Sequence, residues 1–148
     1  MYKKLFIFSI IFLLIDQLSK GLINIYMNIN ESIKIFNFFY LTYVHNTGAA
    51  FSMFEGARWL FIILGIIALN IIFIFFIKDK ELNNFEIVTY SLLLSGIIGN
   101  LVDRILYGYV IDFLDFRIFN FAIFNLADSF IVISVILLLL GMKKCKNM

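Results

Sequence analysis

Five ionisable side chains, Asp16, Lys20, Asp103, Arg104 and Asp128, lie inside or at the edge of stretches otherwise apolar enough to cross a membrane. A sixth, Asp112, follows shortly after the third stretch. A charge at the bilayer centre costs roughly 2.5–3.5 kcal/mol on insertion scales, so five ionised and unshielded groups would oppose insertion by more than about 10 kcal/mol. A chain that carries them must turn them toward each other, toward water or toward a substrate.

The 148 residues are 63% hydrophobic and only 15% charged, with a mean hydropathy of +1.00. Ordinary soluble domains are about 45–50% apolar. Four stretches, 5–25, 59–77, 87–106 and 123–142, approach the ~20 residues that span a hydrocarbon core. The expected fold is an all-α membrane protein of four transmembrane helices, one domain filling residues 1–148. A net charge of +2 gives no reason to expect nucleic acid as a partner. Lys3, Lys4, Lys78, Lys80, Lys143, Lys144 and Lys146 sit at the termini and the second connection, whereas only Lys34, Arg58 and Arg117 sit in the first and third. That asymmetry places both termini in the cytoplasm. The start resembles a secretory signal peptide, but no small-residue cleavage site follows and Asp16 interrupts the run, so it reads as a membrane helix. The lone cysteine, Cys145, has no partner for a disulfide or a metal cluster.

Depth gathers the charges. Asp16 lies twelve residues beyond Lys4, about 18 Å along a helix; Asp103 lies about 25 Å past Glu86, and Asp128 about 22 Å from Lys143. All three carboxylates fall in the outer half of a ~30 Å core. The first external connection, 26–58, is long. Its segment 33–44 is aromatic and β-branched with some period-two alternation, and reads as one or two short strands lying on the outer membrane interface.

The motifs leave alternatives open. Asp16 and Lys20 are four apart on one helix face and can simply neutralise each other. A Ser–Lys dyad is a second reading, although Ser19 points elsewhere; Ser129 remains open. The block His45-Asn46-Thr47-Gly48-Ala49-Ala50-Phe51 offers an amide and small residues that permit close backbone approach. A single histidine with no cysteine cluster beside it argues against zinc. In Ser95-Gly96-Ile97-Ile98-Gly99-Asn100-Leu101-Val102-Asp103-Arg104 the glycines allow close helix contact, and Asn100 shares a face with Asp103. For Asp103 and Arg104 the preferred reading is a packing seam with a buried ion pair. Asp112 and Asp128 each sit among apolar neighbours, expected at the outer end of a span. Two carboxylates sharing such a site hold one proton between them. Asp115 competes with Asp112 on spacing alone.

The blocks Asp16–Lys20, His45–Phe51, Ser95–Arg104, Val110–Leu114 and Phe124–Ser129 resemble, in that order, those of the bacterial type II (lipoprotein) signal peptidases, four-span aspartic peptidases of the bacterial inner membrane. The resemblance covers nearly the whole chain. One departure is Ser95, where many members have a further glycine. It implies Asp112 and Asp128 as the catalytic dyad and leaves Asp115 without a catalytic role. It also implies Asn46, Gly48, Asn100, Arg104 and Asn125 around the site, and Asp16, Lys20 and Asp103 in support. The 33–44 segment would be a small sheet on the membrane surface. The implied reaction removes the signal peptide of diacylglyceryl-modified prolipoproteins by cutting before the lipidated cysteine. Membrane lipid is the surrounding partner, a monomer suffices, and no metal or organic cofactor is required. The rival class is a small proton-coupled transporter, disfavoured because the inner halves of spans two and four are almost wholly apolar.

Overall fold

In the first helix, α1 (Tyr2–Tyr26), Phe6, Ile10, Leu14, Leu18 and Leu22 point outward, while Leu5, Asp16, Lys20 and Ile23 are buried. Polar groups inside and apolar groups outside is the inverse of a water-soluble bundle, and it suits hydrocarbon as solvent. The computed structural model describes residues 1–48, 53–78, 80–118 and 121–146. Ala49, Ala50 and Phe51, the end of the His45-to-Phe51 block, lie outside them, as does the side chain of Cys145.

The second helix, α2 (Arg58–Ile72), runs on into one π-helical turn, Phe73–Ile77. Phe73, Ile74, Phe75 and Phe76 stay exposed there, while Ile77 is fully buried against a cluster with Leu5, Ile72, Ile87, Tyr90 and Leu93. The third helix, α3 (Asn84–Leu106), opens on a capping box. Asn83 accepts from the Glu86 N–H at 3.0 Å, and Glu86 accepts from the Asn83 N–H at 2.9 Å, satisfying two donors that a helix start leaves orphaned. α3 is the central element: 56% of its most apolar stretch is buried, against 17% in α1 and α2. The fourth helix, α4 (Leu126–Lys146), packs along it. Among the described residues three helices are long and apolar enough to cross a membrane, and the apolar part of α4, Leu126–Gly141, is shorter, about 24 Å at 1.5 Å per residue.

The expected fourth span begins too early. Phe124 exchanges backbone hydrogen bonds with Leu114, at 2.8 and 3.1 Å, so residues 123–125 belong to the sheet edge and the helix cap. The sheet has order β1-β2-β3, all antiparallel, from β1 (Ser32–Lys34), β2 (Phe39–Asn46) and β3 (Val110–Phe116). The segment 33–44 therefore holds two short strands separated by a bend at 35–38, within the one or two expected, and a third strand joins them. Asp112 lies on that strand and not at the outer end of a span. Gly108, at φ +87°, turns the chain out of α3 in a conformation that strongly favours glycine. The β-branched and aromatic run that follows then pairs with β2.

A β-bulge between Leu41 and Val44 sets which side chains face the bundle. Leu41 pairs with Leu114, but Val44 pairs with Asp112 and Asn46 with Val110. Leu41 and Asn46 are an odd number of residues apart, and would face opposite ways in a regular strand. The extra residue puts Asn46 on the face of Asp112. The other face buries Tyr43, Ile111 and Phe113 against Ile23 and Met27 of α1.

Two glycines of α3 hold the helices close. A Cβ on Gly96 would lie 2.5 Å from the Ala127 carbonyl oxygen, and one on Gly99 would lie 2.5 Å from Asp16 Oδ2. Gly99→Ala is therefore expected to destabilise the protein by roughly 1–3 kcal/mol, the usual cost of overpacking. Gly21→Ala, with open space around it, is expected to be neutral or mildly stabilising, since alanine is the better helix former. Thermal unfolding in detergent micelles compares them; equal midpoints would contradict the close seam.

Candidate active site

Asp128 stands three residues after Asn125, the residue that precedes α4, and the two form a reciprocal cap. The Asp128 N–H donates to Asn125 Oδ1 at 2.9 Å, and the Asn125 N–H donates to Asp128 Oδ2 at 3.2 Å. Partial positive charge at a helix N-terminus favours an anion at that position. The second carboxylate oxygen, Oδ1, accepts from Asn100 Nδ2 of α3 at 2.7 Å.

Asp112 approaches from β3 and is 2% exposed. Its Oδ1 accepts from Asn125 Nδ2 and its Oδ2 from Asn46 Nδ2, both at 2.7 Å. Asn46 is held in turn by the Gly48 N–H, 2.9 Å from Asn46 Oδ1. Burial pushes the Asp112 carboxyl up to about 7, reinforced by the negative charge of Asp128, while the two amides and the Lys20 ammonium pull the other way. Desolvation wins because a buried carboxylate loses more hydration than two neutral amides restore. Asn125 thus touches both acids, and both line one cavity of about 680 Å³. Asn46, Asn100 and Arg104 share that lining, and Phe61, Val132 and Ile133 supply apolar wall.

The packing seam and a buried ion pair at Asp103 are both present, but the partner is Lys20 and not Arg104. Adjacent on α3, Asp103 and Arg104 diverge. Asp103 pairs with Lys20 of α1 at 3.0 Å, accepts from Gln17 at 3.0 Å, and receives the Ile111 N–H of β3 at 3.2 Å. Arg104 donates to the Gly48 carbonyl at 2.9 Å, with its guanidinium 4.7 Å from the Phe61 ring centre. Asp16 and Lys20 pair at 2.9 Å, and Asp16 Oδ1 also accepts the Ala127 N–H at 2.9 Å. Gln17 was missed by the sequence reading, although it stands inside the Asp16–Lys20 block; it also reaches the Gly99 carbonyl at 3.2 Å. A polar residue beside two buried charges was the available signal.

The competing motifs resolve. Ser19 and Ser129 donate to backbone carbonyls of Asp16 and Asn125, and Lys20 reaches neither, so the Ser–Lys reading has no geometry behind it. Asp115, three residues from Asp112 on a strand, faces the other side, where it accepts from Thr42 at 2.7 Å and Arg117 at 2.8 Å. His45 also faces away, bonded to Tyr43 at 2.8 Å and stacked on Tyr109 at 3.7 Å; burial holds its imidazole below the usual range.

Comparison with known proteins places this arrangement. Residues 8–144 match the family model described as signal peptidase (SPase) II. A lipoprotein signal peptidase of Halothermothrix orenii is 43% identical over 136 residues, covering 91% of this chain and 92% of that protein. One of Staphylococcus haemolyticus is 39% identical over 144 residues, covering 95% of this chain and 91% of that one. A solved structure of a bacterial membrane enzyme superposes with a TM-score of 0.87 at 38% identity, covering 95% of this chain and 87% of that chain. The chain belongs to the signal peptidase II family.

Proposed function

We propose that this protein is a membrane aspartic endopeptidase in which Asp112 and Asp128 act as a coupled pair, removing signal peptides from lipoprotein precursors. The observation that carries the reading is the amide bridge from Asn125 and Asn100, which ties both carboxylates into one cavity. Their surroundings differ. Asp112, desolvated on the strand, keeps its proton near neutrality, while Asp128 stands in the first turn of α4, where a helix presents N–H groups without intrahelical partners. Pairs of acids whose environments diverge in this way divide acid and base roles.

In the reaction Asp128 takes a proton from water as the water oxygen attacks the scissile carbonyl. Asp112 gives its proton as the C–N bond breaks, so that the leaving nitrogen departs as an amine. The carbonyl carbon becomes the new carboxyl of the signal peptide. At the end the pair still holds one proton. Lipid selectivity follows from the apolar wall beside the dyad, which suits a diacylglyceryl chain on the cysteine after the cut. The site lies at the sheet end of the bundle, taken as extracytoplasmic, with both termini in the cytoplasm and a monomer sufficient. The transporter reading finds no support: toward the opposite end the described core is Leu5, Ile72, Ile77, Ile87, Tyr90 and Leu93, which holds no carboxylate, lysine, arginine or histidine to form a relay.

Asp112→Asn and Asp128→Asn are each expected to lower cleavage of a lipidated precursor by at least about 10²-fold, the lower end of general acid–base contributions, with helicity retained. Full activity in either purified variant would defeat the assignment. The unmodified precursor, run beside the lipidated one on a gel, should be cut far more slowly; equal cutting removes the lipid from recognition.

The pH dependence has a definite sign. A carboxyl raised to about 7 is protonated below that pH and loses its proton above it. The profile of kcat/KM should therefore be bell-shaped, with an alkaline limb beginning near pH 7 and an acid limb where both members are protonated. These values belong to the pair and not to either residue. A flat profile from pH 5 to 9 would contradict the shared proton.

A further inference from the structure

Lys20 is 2% exposed and lies outside the cavity lining. Its three N–H donors have three partners: Asp16 Oδ2 at 2.9 Å, Asp103 Oδ2 at 3.0 Å and Asn100 Oδ1 at 3.0 Å. The first two balance charge. The third does something else, because an asparagine amide is nearly symmetric in shape and opposite in polarity at its two ends.

We propose that Lys20 is a positioning residue for both catalytic carboxylates, acting through Asn100, whose amide its ammonium locks in one orientation. With Asn100 Oδ1 drawn to the ammonium, Asn100 Nδ2 faces Asp128 Oδ1 at 2.7 Å. The same Asn100 Oδ1 accepts from Asn125 Nδ2 at 3.1 Å, and Asn125 Nδ2 also donates to Asp112 Oδ1 at 2.7 Å. The opposite end of Asn125 is fixed by the Asp128 N–H. Turning Asn100 over would set its NH2 group against an ammonium and against another NH2, and its oxygen against the carboxylate of Asp128. Three bonds become three repulsions. Orientation therefore passes from α1 through α3 to α4 and β3 without Lys20 touching the reacting atoms. Lys20 meets Asp16 on its own helix and Asp103 on α3, and acts at longer range on Asp112 of β3, which also faces Asp128 of α4 and Arg104 of α3.

The inference rests on the aspartic reading and is tested beside it. Lys20→Met is assayed on a lipidated precursor with purified enzyme in lipid, and kcat, KM and the pH profile are read. The expected result is a fall of about 10²-fold in kcat with KM changed less than about threefold, the signature of a lost transition-state interaction. The alkaline limb should also move up by about one pH unit, because a cation that opposed protonation of the pair is gone. In an Asn100→Ala background, Lys20→Met should cost less than about threefold more, since residues acting in series are not additive. Thermal unfolding checks the fold. Should Lys20→Met leave Asp16 and Asp103 too strongly opposed to fold, Lys20→Met/Asp103→Asn removes one charge of each sign and is read in the same way. Fully additive losses, or an unmoved alkaline limb, would overturn the proposal. Asp112→Asn is run alongside. If it is fully active, the dyad itself fails; if it is inactive while Lys20→Met is fully active, only the role of Lys20 fails.

Discussion

Charge saturation inside hydrocarbon is the condition from which the rest of this structure follows. Lys20 joins Asp16 of its own helix to Asp103 of α3, and each of those carboxylates holds a further backbone N–H, from Ala127 and Ile111 respectively. One ammonium thus fastens α1 to α3, and its two counter-charges fasten α4 and β3. A buried ion pair of this kind contributes little net stability once desolvation is counted. Its value lies in register: Asp103 fixes where β3 leaves α3, and Asp16 fixes where α4 begins. Those are the two places where the candidate catalytic carboxylates stand.

The hydrophobic spans were legible because hydrocarbon demands about twenty apolar residues whatever the partners. The partners themselves were not. Asp16 and Lys20 could be paired from a four-residue spacing on one helix, but Asp103 reaches the same lysine from another span, and nothing local marks it. Arg104 shows the limit from the other side. Its nearest acid in sequence is Asp103, and successive helical residues face different ways, so a pairing drawn between neighbours failed on elementary geometry. Asp112 was recognised as important and assigned to the wrong kind of element. Its neighbours are apolar enough to pass for the end of a span, and Val110–Phe116, with Asp112 and Asp115 three apart, carries no period-two alternation that would mark a strand. The β2 bulge left no trace in the sequence, because a bulge is set by what the strand must reach on either side.

Four of the groups nearest the dyad are neutral amides or glycine backbone: Asn46, Asn100, Asn125 and Gly48. An amide supplies a donor without adding a titrating group, so it can hold a carboxylate in place and leave the number of protons in the site to the two acids. Arg104 is the exception. Its charge lies on the cavity wall, drawn toward the Gly48 carbonyl and the Phe61 face and away from direct pairing with either acid. An Arg bonded to Asp112 would hold that group ionised, and the pair would then lack its acid at neutral pH.

Strand and helix also divide the two carboxylates in a way that sequence chemistry alone would not require. A strand exposes alternate side chains to one face and brings no dipole of consequence, so an acid placed there is governed by burial. A helix N-terminus brings several unpaired N–H groups to bear on its first turn. Two identical side chains, with the same intrinsic acidity, are thereby made unlike by the elements that carry them. The bulge in β2 completes the arrangement, because without it Asn46 would turn to the face of Phe113 instead of that of Asp112. The strand acid would then keep a single amide donor, and its carboxyl group would be free to rotate away from the cavity in which the other acid stands.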